Sequence, residues 1–134
     1  MKHPVLFGYQ CLAGLSDTAT GALLCVAPRF TLQLMGLHPA ADTTPYISYI
    51  GAFVLSVGIS YLYGALLIAI DAPSARIEIV WLLTAFTRSA VAIYVLKSVL
   101  VGDLDFGWIG VAVFDAACAV IQAIGLRKRW LADA

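Results

Sequence analysis

Charge is scarce in this sequence, and so is histidine. Only 12% of the 134 residues are Asp, Glu, Lys or Arg, about half the share found in ordinary soluble domains. That excludes a globule with a polar surface on every side. The eight basic and eight acidic residues cancel, so no overall field draws in nucleic acid, and none is expected as a partner. His3 and His38 are the only histidines. No His-based metal set, Ser-His-Asp set or phosphate loop can be built from such a chain. Metal ligands are therefore not expected, and the sequence points to no cofactor. Cys11, Cys25 and Cys118 stand alone, without C-x-x-C spacing. They read as small apolar packing residues, with a Cys11–Cys118 disulfide as the weaker alternative. Asp103 and Asp105 offer too few ligands for calcium and read as a solvated turn.

What fills the chain instead is apolar: 62% of residues are hydrophobic and the mean hydropathy is +0.94. A bilayer core needs about 20 mostly apolar residues per helix. Four segments meet this, at about 5–27, 46–70, 76–99 and 106–126, and the second carries no charge at all. The fold class expected is all-α: an integral membrane four-helix bundle running up-down-up-down, as one transmembrane domain over residues 1–134. Lys2 ahead of an apolar run imitates a secretory signal, but Asp17 interrupts that run, so the first helix is expected to stay.

The connections fit this layout. "DAPSA" at 71–75 and "VGDLDFG" at 101–107 are short turns between antiparallel neighbours. The first link is longer and too apolar for a free loop. Between Pro28 and Gly36 it carries Phe30, Leu32, Leu34 and Met35. A short interfacial helix fits, and so does a bent extension of the first span. Lys2, Arg76, Arg127, Lys128 and Arg129 fall on one side, against Arg29 and Lys97 on the other. Basic residues gather on the cytoplasmic side, which puts both termini there in an inner (plasma) membrane.

Lipid cannot drive helices together by burial, so small residues are the expected contact. Ala52, Ser56, Ser60 and Gly64 form one such stripe in the second span, with Gly51 and Gly58 beside it. Ala112, Ala116, Ala119 and Ala123 form another in the fourth.

Arg88 sits in the middle of "LTAFTRSAVAIYVL". Asp17 and Asp115 stand at the centres of the first and fourth spans, so three ionisable residues on three helices share one depth. A charge there costs upwards of about 2.5 kcal/mol if left facing lipid. The economical arrangement is an inward cluster, with Arg88 between the two aspartates. Gln10 and Thr20 share the face of Asp17; Trp81 and Thr84 share that of Arg88; Gln122 shares that of Asp115. Ser56, Ser60 and Tyr61 or Tyr63 of the second span would close the ring. Two aspartates against one permanent cation leave one negative charge over. Either one aspartate keeps a proton or a cation sits nearby.

Three uses of such a layer are open: a structural fastener, a proton or ion route, or a site for a lipid, quinone or small polar molecule. The segment "GLSDTATGALLCVAPRFTLQLMGL" resembles small four-helix bacterial membrane proteins of the DoxX-like group, in its Gly-containing first helix, its proline exit and its apolar link ending in Gly-Leu. The resemblance implies a four-span fold and an accessory or binding role, some such proteins being subunits associated with quinone-linked oxidation. It assigns no role to Asp17, Arg88 or Asp115. The leading expectation is a non-catalytic binding or assembly module whose Asp-Arg-Asp layer holds the bundle and a small polar or lipid-like ligand. Its partners would be the lipid bilayer and either further copies or a larger membrane complex. The alternatives are an oligomeric proton-coupled transporter and an enzyme acting on a lipid-like or quinone-like substrate.

Overall fold

The computed structural model describes residues 3–132, apart from the side chain of Ala41. These residues are helical, with no strand among them. The helices are α1 (Pro4–Val26), α2 (Pro28–Leu34), α3 (Thr44–Ala69), α4 (Ser74–Leu100) and α5 (Ile109–Arg127). Short 3-10 turns at Ala41–Thr43 and Phe106–Trp108 lead into α3 and α5. Three helices are long and apolar enough to cross a membrane: Thr44–Ala69, Ser74–Leu100 and Phe106–Arg127. The 23-residue α1 is not among them, because Gln10, Asp17, Thr18 and Thr20 dilute its apolar content.

Proline starts the first three helices, where its missing N–H goes unused. Pro28 also separates α2 from α1. Its ring is incompatible with a continuing helix, and the preceding Ala27 leaves helical geometry at φ −141° and ψ 58°. The short segment is thus a helix in its own right. Leu24, Leu32 and Leu37 seat it, with Ile47, Val54 and Trp108 packed around them.

Helices α2 to α5 end alike. In α2 the Leu37 N–H reaches the Leu32 carbonyl and the Gly36 N–H reaches Gln33, both at 2.9 Å. The same doublet joins Ala72 to Leu67, Asp103 to Ser98 and Trp130 to Gly125. Each needs a left-handed residue just past the helix, and Gly36, Asp71, Gly102 and Arg129 supply it with φ between 49° and 84°. The doublet satisfies carbonyls that hydrocarbon would leave bare.

Packing falls into two close pairs. Along α1 and α3, Gly14 meets Leu62, Gly58 meets Thr18, Gly21 meets Leu55 and Gly51 meets Leu24, a register that runs antiparallel. A Cβ on Gly21 would lie 2.3 Å from the Leu55 nitrogen, and one on Gly58 2.4 Å from that of Thr18. The glycines let these backbones approach closely. In the second antiparallel pair, α4 and α5, Arg88 meets Asp115, Thr84 meets Gln122, and the Trp81 ring lies over Gly125. The two pairs meet through larger side chains. Leu67, Ile68, Ile77, Trp81 and Leu131 form an apolar cluster at one end.

This arrangement corrects both expected stripes. In α3 the packing face is Gly51, Gly58, Tyr61, Gly64 and Ala65, whereas Ala52 and Ser56 are exposed and Ser60 is half-buried. The glycines win because α1 can come closer to a face with no Cβ than to one with serine. In α5 Ala112 and Ala119 are buried but Ala116 and Ala123 are exposed. The buried face follows Asp115 and Gln122 instead.

Candidate functional site

Asp17, Arg88 and Asp115 lie near the middles of α1, α4 and α5 and meet in one buried layer. Arg88 is 3% exposed, Asp17 7% and Asp115 8%. The guanidinium divides its nitrogens among three helices. Nη1 donates to Asp115 Oδ1, Nη2 to Asp17 Oδ2, and Nε to the Tyr61 hydroxyl of α3 at 2.9 Å. The Tyr61 and Phe114 rings also lie against the guanidinium, with their centroids 4.8 and 5.0 Å from Cζ. Aromatic faces attract a desolvated cation, so Arg88 is held by its two carboxylate partners and by the two neighbouring rings.

From Arg88 the hydrogen bonds run in one direction. Tyr61 accepts from Arg88 and donates to Gln122 Oε1 at 2.9 Å. Gln122 Nε2 donates to Thr84 Oγ1 at 2.7 Å, and Thr84 donates to its own helix at the Val80 carbonyl, also at 2.7 Å. Polarised chains of this kind strengthen one another. This one begins on a group that keeps its proton and ends on a backbone carbonyl. It fixes side chains and offers no relay through Arg88.

Of the residues marked out by sequence, Asp17, Arg88, Asp115, Tyr61, Thr84 and Gln122 therefore form one network. Trp81 is fully buried against the Tyr9 ring, at 5.7 Å between centroids, but its Nε1 meets no acceptor among the described residues. Gln10 is fully buried against Gly64, and neither atom of its amide has a partner there. Thr20 is half-buried and takes no part. Ser56 and Ser60 do not close the ring either: they turn outward and bond back to the carbonyls of Phe53 and Ser56. Ser56 and Ser60 each stand two residues from Gly58, about half a turn round α3, and so lie on the side away from the glycine face. Tyr63 is half exposed on the same outer side. The cysteines are all free thiols.

Two members of the site were missed. Tyr9 is within reach of the Tyr61 hydroxyl at 3.3 Å and donates to the Cys118 carbonyl at 3.4 Å, bridging α1, α3 and α5. Phe114 covers Arg88. An aromatic beside the central aspartate was the available signal, since a buried guanidinium needs its faces covered as well as its edges.

Outside the layer, α3 and α4 diverge. Between them lies a groove of about 470 Å³, lined by Ser56, Ser60, Tyr63, Val80, Thr84 and Thr87 with neighbouring aliphatic residues. Thr84 is the wall it shares with the network. Among the described residues no group of His, Cys, Asp or Glu side chains is arranged to hold a metal ion.

Comparison of the chain with family models, curated proteins and solved structures finds no match.

Proposed function

We propose that the chain is a non-catalytic binding or assembly module of a bacterial-type inner membrane. Four long helices span the bilayer up-down-up-down, with both termini cytoplasmic and α2 at the opposite surface. In support, α1 runs the length of α3, so it occupies the same depth. It turns Gln10 and Asp17 inward, while Val5, Leu12, Leu15 and Val26 are 60–80% exposed, as a lipid-facing side requires. The likeness of residues 14–37 to the DoxX-like group fits the same accessory role.

In this reading the charged layer is a fastener and the α3–α4 groove is where a lipid-like molecule binds. The observation that carries it is the engagement of all three Arg88 nitrogens by the chain itself, on a side chain only 3% exposed. A ligand at the guanidinium would find only the second N–H of Nη1 and of Nη2, on a buried side chain. The groove, by contrast, lies between α3 and α4, which in this reading are flanked by hydrocarbon. An enzymatic role would need a free nucleophile or base there, and the serine and threonine hydroxyls lining it bond to their own helices.

The transporter reading has one observation on its side. Asp17 and Asp115 each give one oxygen to Arg88 and leave the other without a hydrogen bond among the described residues. Native mass spectrometry of the protein released from lipid nanodiscs separates the two. The fastener reading expects a retained lipid that survives Asp115→Asn and disappears in Ser60→Trp. Loss of the retained molecule in a folded Asp115→Asn protein, with Ser60→Trp unaffected, would place the ligand in the layer and sink this reading.

A further inference from the structure

The α3–α4 groove has a hydrogen-bonding character that narrows what it can hold. Ser56, Ser60, Thr84 and Thr87 all spend their hydroxyl protons on carbonyls of their own helices, at 2.7 to 3.0 Å. Thr84 Oγ1 also accepts from Gln122, which fills one of its two acceptor positions. Ser56, Ser60 and Thr87 accept from no group among the described residues, and a hydroxyl has two acceptor positions beside its donor. The lining therefore presents a surplus of acceptors, with the Tyr63 hydroxyl as the one donor not already committed.

Resting on the lateral-groove reading, we propose that the groove takes a lipophilic alcohol: a hydrocarbon chain whose polar end is an O–H donor. Three features select it. The groove lies alongside the middle of α3 and α4, between Ser56 and Tyr63 on one wall and Val80 and Thr87 on the other, so an occupant enters from hydrocarbon rather than from water. Val57, Ile59, Val80 and Leu83 supply aliphatic surface to the lining, as side chains in ligand sites of this volume usually do. The polar remainder matches a donor: an alcohol gives its proton to Ser60 or Thr87 and accepts from Tyr63. A ligand ending in an ether or carbonyl leaves the acceptors unmatched and finds only Tyr63. Discrimination by unmatched polar groups is a stronger filter than shape.

The test uses the full chain in lipid nanodiscs and a long-chain alcohol carrying a photoactivatable diazirine, with crosslinks mapped by peptide mass spectrometry. Crosslinks are expected in the segments 56–63 and 80–87. Hexadecanol should compete for them roughly fivefold better than its methyl ether, the worth of about one neutral hydrogen bond. The double variant Ser60→Ala, Thr87→Val keeps the shape of the groove and breaks no contact between helices, and it should bring the two competitors level. Equal competition by alcohol and ether in the unmodified protein would overturn the donor requirement and leave the lateral lipid site standing. Crosslinks spread evenly over all the outward faces would overturn both.

Discussion

The Nε of Arg88 donates to the Tyr61 hydroxyl at 2.9 Å, and this contact joins the α1–α3 pair to the α4–α5 pair. Replacing Tyr61 with Phe keeps the ring over the guanidinium but strands two groups at once, Arg88 Nε and Gln122 Oε1. A buried hydrogen bond to a charged group is worth about 1.5–3 kcal/mol. Tyr61→Phe should therefore cost about 2 kcal/mol, read by unfolding in mixed micelles titrated with sodium dodecyl sulfate. A loss under about 0.5 kcal/mol would mean that the ring alone matters.

Removing the cation is a harsher change than removing the whole layer. Arg88→Met leaves Asp17 and Asp115 facing each other without their shared donor. Breaking a buried ion pair from one side typically costs about 3–5 kcal/mol. The triple variant Asp17→Asn, Arg88→Met, Asp115→Asn carries no buried charge, and it should recover to within about 1 kcal/mol of the parent. If the triple variant unfolds as readily as Arg88→Met, the layer's contribution does not lie in its charges. The same micelle titration decides it.

The glycines of α1 differ in what surrounds them. Around Gly8 nothing lies within 4 Å of an added Cβ, whereas at Gly21 the Leu55 backbone nitrogen lies 2.3 Å away. Gly8→Ala removes a helix-weakening residue without a clash and should stabilise by about 0.5–1 kcal/mol. Gly21→Ala must push α1 and α3 apart along their length, and should destabilise by at least about 2 kcal/mol. Equal effects at the two positions would contradict this packing.

Much of this arrangement was legible in the sequence because a bilayer-like composition narrows the choices. Asp17, Arg88 and Asp115 could be placed in one layer since no other position for three charges on apolar helices is inexpensive. The same argument found Gln122 and Thr84, which share faces with those charges at helical spacing. It failed at Ala52, Ser56 and Ser60. Small residues at four-residue steps look alike whether they face a helix or a groove, and only the partner's register tells them apart. Gly51 and Gly58, set aside as neighbours, proved to be the contact because α1 presents Gly21 and Thr18 opposite them. Tyr9 escaped notice for a related reason: its hydroxyl reaches across to Tyr61 and Cys118, a contact set by side-chain length rather than by spacing along α1.

The status of α1 yields a prediction with only two outcomes. By hydropathy alone three helices qualify as spans, and α1 does not. Its two most polar residues, however, Gln10 and Asp17, are buried against the other helices, where Asp17 meets Arg88 and Gly14 and Gly21 meet α3. A charge paired inward, as Asp17 is with Arg88, opposes insertion far less than average hydropathy, which counts it at full cost, implies. Three spans would put the two ends of the chain on opposite sides of the membrane, and four would put them on the same side. Short peptide tags fused ahead of Met1 and after Ala134, probed with antibody before and after the membrane is opened, distinguish these cases directly. Both tags should be hidden in right-side-out vesicles and revealed together on permeabilisation, as expected from the basic residues Arg127, Lys128 and Arg129 at the C-terminal end. An N-terminal tag reached from outside while the C-terminal one stays hidden would mean that α1 lies on the surface. The Asp17–Arg88 contact would then belong to a water-accessible face instead of the bilayer interior.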